Sequence, residues 1–206
     1  MYLSSHSLFL RAAFGWLLIL LAASGPLNIY AADGTGQNIV ENGGFTEQSG
    51  NFFTGWALGG FVGGKPDTTE MWKNSAEMSG DEDGTSFLRV NCLDPDGADF
   101  AVSTKEKISL NPAWVSLDVS TETRVKDIVK LATWGGRIMI SLTFYDGNDA
   151  TISGEFFMPI PPETTSWETL QKSIAIPPGA STFTVAAHII GANAVADFKK
   201  IEVVPN

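Results

Sequence analysis

The chain has 206 residues, is 44% hydrophobic, and carries 23 acidic against 13 basic side chains for a formal charge of −10. Such an acidic chain, with no basic run, is excluded as an electrostatic ligand for nucleic acid or for an anionic membrane surface. Its single cysteine, Cys92, excludes an intrachain disulfide, so stability must come from apolar burial.

The first residues belong to export. His6 and Arg11 precede the apolar run from Ala12 to Ala23, and Ser24-Gly25-Pro26 then leads to Ile29-Tyr30-Ala31-Ala32-Asp33. This is the order of a secretory signal peptide: charged, apolar, then small residues at the cut. The apolar run is shorter than the roughly 20 residues of a spanning helix, and a helix breaker follows it. The expectation is a leader over residues 1–31, cut after Ala31 or Ala32, and a single domain over residues 32–206. The protein would then be secreted or periplasmic. No cysteine near the cut supports a lipid anchor, and losing Arg11 makes the mature chain one unit more acidic.

From there the chain reads as short strands between Gly, Pro, Asn and Asp punctuation. Asn42-Gly43-Gly44 is a turn that delivers Phe45, and Gly55-Trp56 opens a strand to Val62. Gly59 to Lys65 has the spacing of a phosphate loop, but Pro66 stands where a hydroxyl must follow and no helical pattern comes after. A weak strand, Thr69 to Lys73, comes next. In Ser86 to Cys92, Leu88, Val90 and Cys92 oppose Phe87, Arg89 and Asn91, so Cys92 reads as a small buried thiol. Ala98 to Ser103 is another weak candidate.

Trp114 to Thr121 sets Val115, Leu117 and Val119 against Ser116, Asp118 and Ser120, and Thr123 to Leu131 is the one short helical candidate. Arg137 to Tyr145 is the best strand. Its isoleucine, leucine and phenylalanine side fits a core, its Met139, Ser141, Thr143 side is more polar, and Asp146-Gly147-Asn148-Asp149 ends it. Gly154 to Pro159, Trp167 to Ile176, Ser181 to Ile190 and Asp197 to Val204 complete the set, with corners at Pro161-Pro162 and Pro177-Pro178. The fold class this predicts is all-β: a jelly-roll β-sandwich of two antiparallel sheets. One face of each strand builds the core; the other either lines a half-polar concave surface or is plain solvated sheet.

Catalytic signals are sparse. His188 is the one histidine of the mature chain, which excludes a histidine-rich zinc site and leaves any hydroxyl nucleophile without an evident base and orienter. With 23 acids some carboxylate pair is unavoidable, and spacing selects none. The acidic turns Asp81-Glu82-Asp83-Gly84, Asp94-Pro95-Asp96-Gly97 and Asp146 to Asp149 lack the spacing of a calcium loop and are explained as turns. The tryptophans say more, since a flat indole stacks on the apolar face of a sugar ring. Trp56 and Trp167 open strands and read as core, and Trp114 is undecided. Trp72 and Trp134 sit among polar or glycine neighbours beside loops and are the candidate exposed platforms.

In order along the chain, Asn42-Gly43-Gly44-Phe45-Thr46, Gly55-Trp56, Phe144-Tyr145-Asp146-Gly147, Trp167, Ile174 to Ala180 and Ala196 to Val203 resemble the signatures of carbohydrate-binding modules of families four, nine and twenty-two. The resemblance spans nearly the whole mature chain and implies a galactose-binding-domain-like jelly roll without catalytic activity. It implies glycan binding in a groove on the concave sheet or at the loop tips. Trp72 and Trp134 would stack on sugars, while Arg89, Asn91, Asp118, Ser141, Thr143 and His188 would supply polar contacts from the concave face. The partner would be a polysaccharide or oligosaccharide, met alone or beside a separate glycan-degrading enzyme or envelope protein, since residues 32–206 leave no room for a catalytic domain.

Such modules often hold a structural calcium between the acid after the N-terminal Phe and an acid before the final strand's Ile or Val. Here those positions are Thr46 and Lys199 or Lys200, so no metal or other cofactor is expected, with Glu41, Glu47 and Asp197 as leftover ligands and a lysine ammonium filling the vacated place. Two other readings stay open: an adhesion or structural module that binds protein through an apolar patch, and a glycoside hydrolase or lyase built on the jelly roll.

Overall fold

The computed structural model describes residues 36–50, 52–62, 65–66, 76–80, 84–92, 98–131 and 136–206. The expected leader over residues 1–31, Trp72, Trp134, the expected strand from Thr69 to Lys73, and residues 81–83 and 94–97 of the acidic turns lie outside the described residues.

Among the described residues fourteen strands form, all paired antiparallel: β1 (Gln48–Ser49), β2 (Phe52–Phe53), β3 (Trp56–Val62), β4 (Lys65–Pro66), β5 (Ala76–Gly80), β6 (Ser86–Cys92), β7 (Ala98–Thr104), β8 (Ile108–Ser109), β9 (Ser116–Leu131), β10 (Arg137–Tyr145), β11 (Phe157–Pro159), β12 (Glu168–Ala175), β13 (Thr182–Ile190) and β14 (Ala192–Pro205). The larger sheet runs β11-β10-β13-β7-β3-β4 with β8 beside β13, and the smaller runs β12-β9-β14-β6-β5. A β1–β2 hairpin stands apart from both.

Period-two patterning builds the core between the sheets. Phe183, Val185, Ala187 and Ile189 of β13 and Ile138, Ile140, Leu142 and Phe144 of β10 point inward from the larger sheet. Leu88, Val90 and Cys92 of β6 and Leu117 and Val119 of β9 meet them from the smaller one. Gly59 to Val62 of the glycine-rich stretch lie in β3, which pairs with β4, Phe61 opposite Pro66 and Val62 opposite Lys65.

The N-terminal signature folds as a tight loop. Asn42 and Phe45 both take left-handed backbone, with φ of 48° and 54°. The Phe45 N–H donates to the Asn42 carbonyl (3.0 Å), and the Trp56 indole N–H donates to the same oxygen (3.2 Å). The Phe45 ring lies 5.1 Å from those of Phe53 and Trp56, and all three are fully buried. Gly43 must be glycine: a Cβ there would collide with the Ile201 carbonyl, while Ile201 N–H donates to Gly43 O (2.8 Å) and ties the loop to β14.

Two expectations fail. Thr123 to Leu131 is not helical; it continues β9 without a break. Thr121, Thr123 and Val125 keep facing inward, alternating with Glu122, Arg124 and Lys126, and β14 pairs with Thr123 to Lys126 and, after a register shift, with Lys130 and Leu131. The inward threonines have a specific task. The β14 register slips between Phe198 and Lys200, and the Thr121 and Thr123 hydroxyls donate to the Lys200 and Asp197 carbonyls (2.7 and 2.8 Å). Sheet pairing with β14 overrides the weak local helical pattern. Val115, expected in the core with Leu117 and Val119, is 72% exposed. It precedes the first residue of β9, where its backbone bonds Asn206 and Ile176 while its side chain stands outside the alternating run.

Candidate functional site

Six of the eight candidate contact residues are described, and they do not share one face. Ser141 and Thr143 of β10 and His188 of β13 lie on the outer face of the larger sheet. Arg89 and Asn91 of β6 and Asp118 of β9 lie on the outer face of the smaller one. The core separates the two groups, so no single groove collects all six.

On the larger sheet, Ser141 Oγ lies 3.3 Å from His188 Nδ1. The register sets Ser141 in a row with Phe157 and Ala186, and next to it Met139 with Pro159, His188 and Ala101. Met139 and Ala101 face away from the core yet are only 7% and 9% exposed, so neighbouring atoms cover the middle of this face. Ser103, Thr143, Thr184 and Ala186 continue the floor with small or hydroxyl side chains. Phe157 forms an aromatic rim, half-buried, with the Arg137 guanidinium 5.4 Å from its centroid. At the other end the Lys107 ammonium lies 3.7 Å over the Tyr145 ring and pairs with Asp149 (2.7 Å). The Asp146 carboxylate is held by the Asn148 and Ala150 N–H groups, the work of a turn.

Phe157 was missed in the sequence, where tryptophans drew the attention. The signal lay in Phe156-Phe157, a doubled aromatic in which only one ring can face inward. Phe156 packs edge-on against Phe144 (4.9 Å), which leaves Phe157 on the Ser141 side.

The outer face of the smaller sheet is an ion cluster. Asp197 is 0% exposed there. Its two oxygens accept from Arg89 Nε (2.7 Å), a terminal nitrogen of Arg89 (2.9 Å) and Arg124 Nε (2.8 Å), with Lys126 Nζ at 3.8 Å. The Arg124 guanidinium also lies 4.2 Å from the Trp167 ring and 5.1 Å from that of Phe87, and those two rings meet edge to face at 5.5 Å. Trp167, expected in the core, is instead the half-buried lid of this cluster, and Phe87 is buried beneath it although it points away from the core. Arg89 thus has a structural task.

The residues present do not fit the calcium that the resemblance implies. Asp197 is taken by cations, and the Glu41 carboxylate lies against Gly55. Neither lysine fills the place: Lys200 pairs with Glu202 (2.7 Å), and the Lys199 ammonium lies 5.1 Å over Trp167. The Asn42 side chain ties the loop instead. Its oxygen accepts from the Thr46 and Glu47 N–H groups (2.9 and 3.0 Å), and its nitrogen donates to the Glu47 and Thr54 carbonyls (2.8 and 3.0 Å).

No protein-family model matches the chain, and no curated protein does. Solved structures do. The enzymatically active domain of bacteriophage CBA120 tailspike protein 4 is similar with a TM-score of 0.55 at 15% identity, over 82% of this chain and 21% of that one. An arabinose-bound α-L-arabinofuranosidase, MgGH51, gives 0.50 at 13% identity, over 85% of this chain and 27% of the other. The module TmCBM61, solved with β-1,4-galactotriose, gives 0.49 at 13% identity, over 82% and 99%. This chain thus spans only 21% and 27% of the tailspike and arabinofuranosidase chains. Likeness at such identity is one of fold alone, and the fold is an all-β, antiparallel jelly-roll sandwich.

Proposed function

We propose that this protein is a secreted, non-catalytic carbohydrate-binding protein that seats a polysaccharide or oligosaccharide across the outer face of its larger sheet. The observation that carries this reading is the row of small and hydroxyl side chains on this face, with the Ser141–His188 pair at its middle and Phe157 on its rim. A sugar offers apolar C–H faces and a fringe of hydroxyls, and this surface offers the complement. Thr143 joins the floor. Trp72 and Trp134 remain stacking candidates, whereas Arg89, Asn91 and Asp118 belong to the opposite face and are set aside for this groove.

The non-catalytic reading is supported by the groove's chemistry. Among the described side chains around Ser141 and His188 there is no carboxylate, and at the far end Asp146 is taken by turn N–H groups and Asp149 by Lys107, so an acid pair for hydrolysis has no support there. The adhesion reading wants a contiguous apolar patch. Among the described residues the exposed large apolar side chains are Leu58 and Val115, two scattered residues. The leader pattern over residues 1–31 supports export.

Affinity electrophoresis against a panel of polysaccharides tests the proposal. Retardation on at least one glycan is expected, with about five- to thirtyfold weaker binding for His188→Ala, the worth of one or two buried hydrogen bonds. Free migration on every glycan, unchanged in a Trp72→Ala/Trp134→Ala double variant, would sink it.

A further inference from the structure

We infer that the glycan carries anionic groups, carboxylate or sulfate, bound by Arg137 and Lys172 where the groove meets the open edge of the sandwich. This rests on the carbohydrate-binding reading above. The chain has 23 acids for 13 bases, so a cation here normally finds a carboxylate. Arg89, Arg124 and Lys126 share Asp197, Lys107 pairs with Asp149 and Lys200 with Glu202.

Arg137 and Lys172 depart from that pattern together. Neither has a carboxylate partner among the described residues, and both cations lie 5.4 Å from the centroid of one ring, Phe157. Lys172 reaches that ring from the other sheet. It sits on edge strand β12, and its ammonium crosses to donate to the Phe157 carbonyl (2.8 Å), leaving two of its three donors for another acceptor. Lys105, exposed and likewise without a carboxylate partner among the described residues, has no such ring beside it among them.

Two uncompensated cations held against one ring form an anion site because their positions are set before a ligand arrives. A guanidinium resting on an aromatic keeps its in-plane N–H edge open, and that edge matches a carboxylate or a sulfate through two hydrogen bonds. Phe157 shares its register position with Ser141, so the two cations abut the hydroxyl-lined floor. Arg137 also borders a cavity of about 210 Å³ whose other walls include Ile138, Pro159 and Pro161, an apolar recess large enough for a single sugar ring. A pyranose ring seated there would present its charged substituent to Arg137. The acidic chain repels polyanions in general, so attraction to one would be local to this edge.

The test is affinity electrophoresis of the mature chain in gels cast with xylan, polygalacturonate, alginate or carrageenan. Retardation is expected in the carboxylated gels, in the sulfated gel, or in both, and which gel responds identifies the anion. Arg137→Gln should weaken that binding about tenfold, the loss of one charge-assisted contact, and Arg137→Gln/Lys172→Gln should abolish it. Raising salt should weaken the wild-type interaction. Retardation by xylan alone, or anionic binding indifferent to Arg137→Gln, overturns this inference and leaves carbohydrate binding intact. No retardation in any gel overturns both. Arg137 is exposed, so its variant should keep the wild-type melting temperature; if the double variant does not fold, the single one decides.

Discussion

Replacing Asp197 with alanine should destabilise the domain by about 3–5 kcal/mol, the range for breaking a buried ion pair by removing one partner. For a domain of this size that corresponds to a fall in melting temperature on the order of 10 °C. The carboxylate is fully buried on the face of β14 that looks away from the core, and it holds arginines from both neighbours, β6 and β9. Alanine would leave the Arg89 and Arg124 side chains, only 24% and 14% exposed, facing one another across an emptied site. Asp197→Asn keeps the shape and loses the charge, and should fall between wild type and alanine. Because the carboxylate is shielded from solvent, molar salt should recover little of the loss. Urea denaturation of the three proteins measures this, and a difference below about 1 kcal/mol for alanine would put the cluster in the class of surface pairs.

The second large effect is expected at Asn42. Its amide makes four hydrogen bonds that close the loop from Asn42 to Thr54, at a left-handed φ of 48° that asparagine adopts more readily than alanine. Asn42→Ala should therefore cost about 2–4 kcal/mol, several bonds at roughly 1 kcal/mol each. Asn42→Asp is the more informative change. It exchanges a nitrogen that donates to two carbonyls for a negative oxygen facing them, and three converging oxygens are what a calcium ion seeks. Millimolar calcium should raise the melting temperature of Asn42→Asp and leave wild type and Asn42→Ala unmoved. A rise of several degrees in wild type would show that the loop needs an ion after all.

The strands were largely legible in the sequence, and the arrangement of the site much less so. Alternation in Arg137 to Tyr145 and Ser181 to Ile190 states which residues of one strand share a side, because a pleated strand has only two sides. It does not state which strands share a sheet. Arg89 and His188 both point away from the core, and nothing local to either reveals that β6 and β13 belong to opposite sheets. That information sits in pairings between residues far apart in the chain, such as Asp197 with Arg89. Thr123 to Leu131 failed for a related reason, since its partners on β14 and β12 lie beyond any local window. Cys92 and Trp56 were readable because burial with strand neighbours needs only parity, and both are fully buried. Phe157 was not, because its place on the rim follows from pairing with Ser141.

The place of β14 bears on how the domain comes together. It is the last strand of the smaller sheet in chain order, yet it lies in the middle of that sheet, with β9 on one side and β6 on the other. Until Ala192 to Pro205 is present, β12 with β9 and β5 with β6 are two ribbons, each with a bare edge. Their closure waits on contacts of long sequence separation, which slows folding. A nascent chain therefore cannot lock this sandwich early, and it stays open until its middle strand arrives.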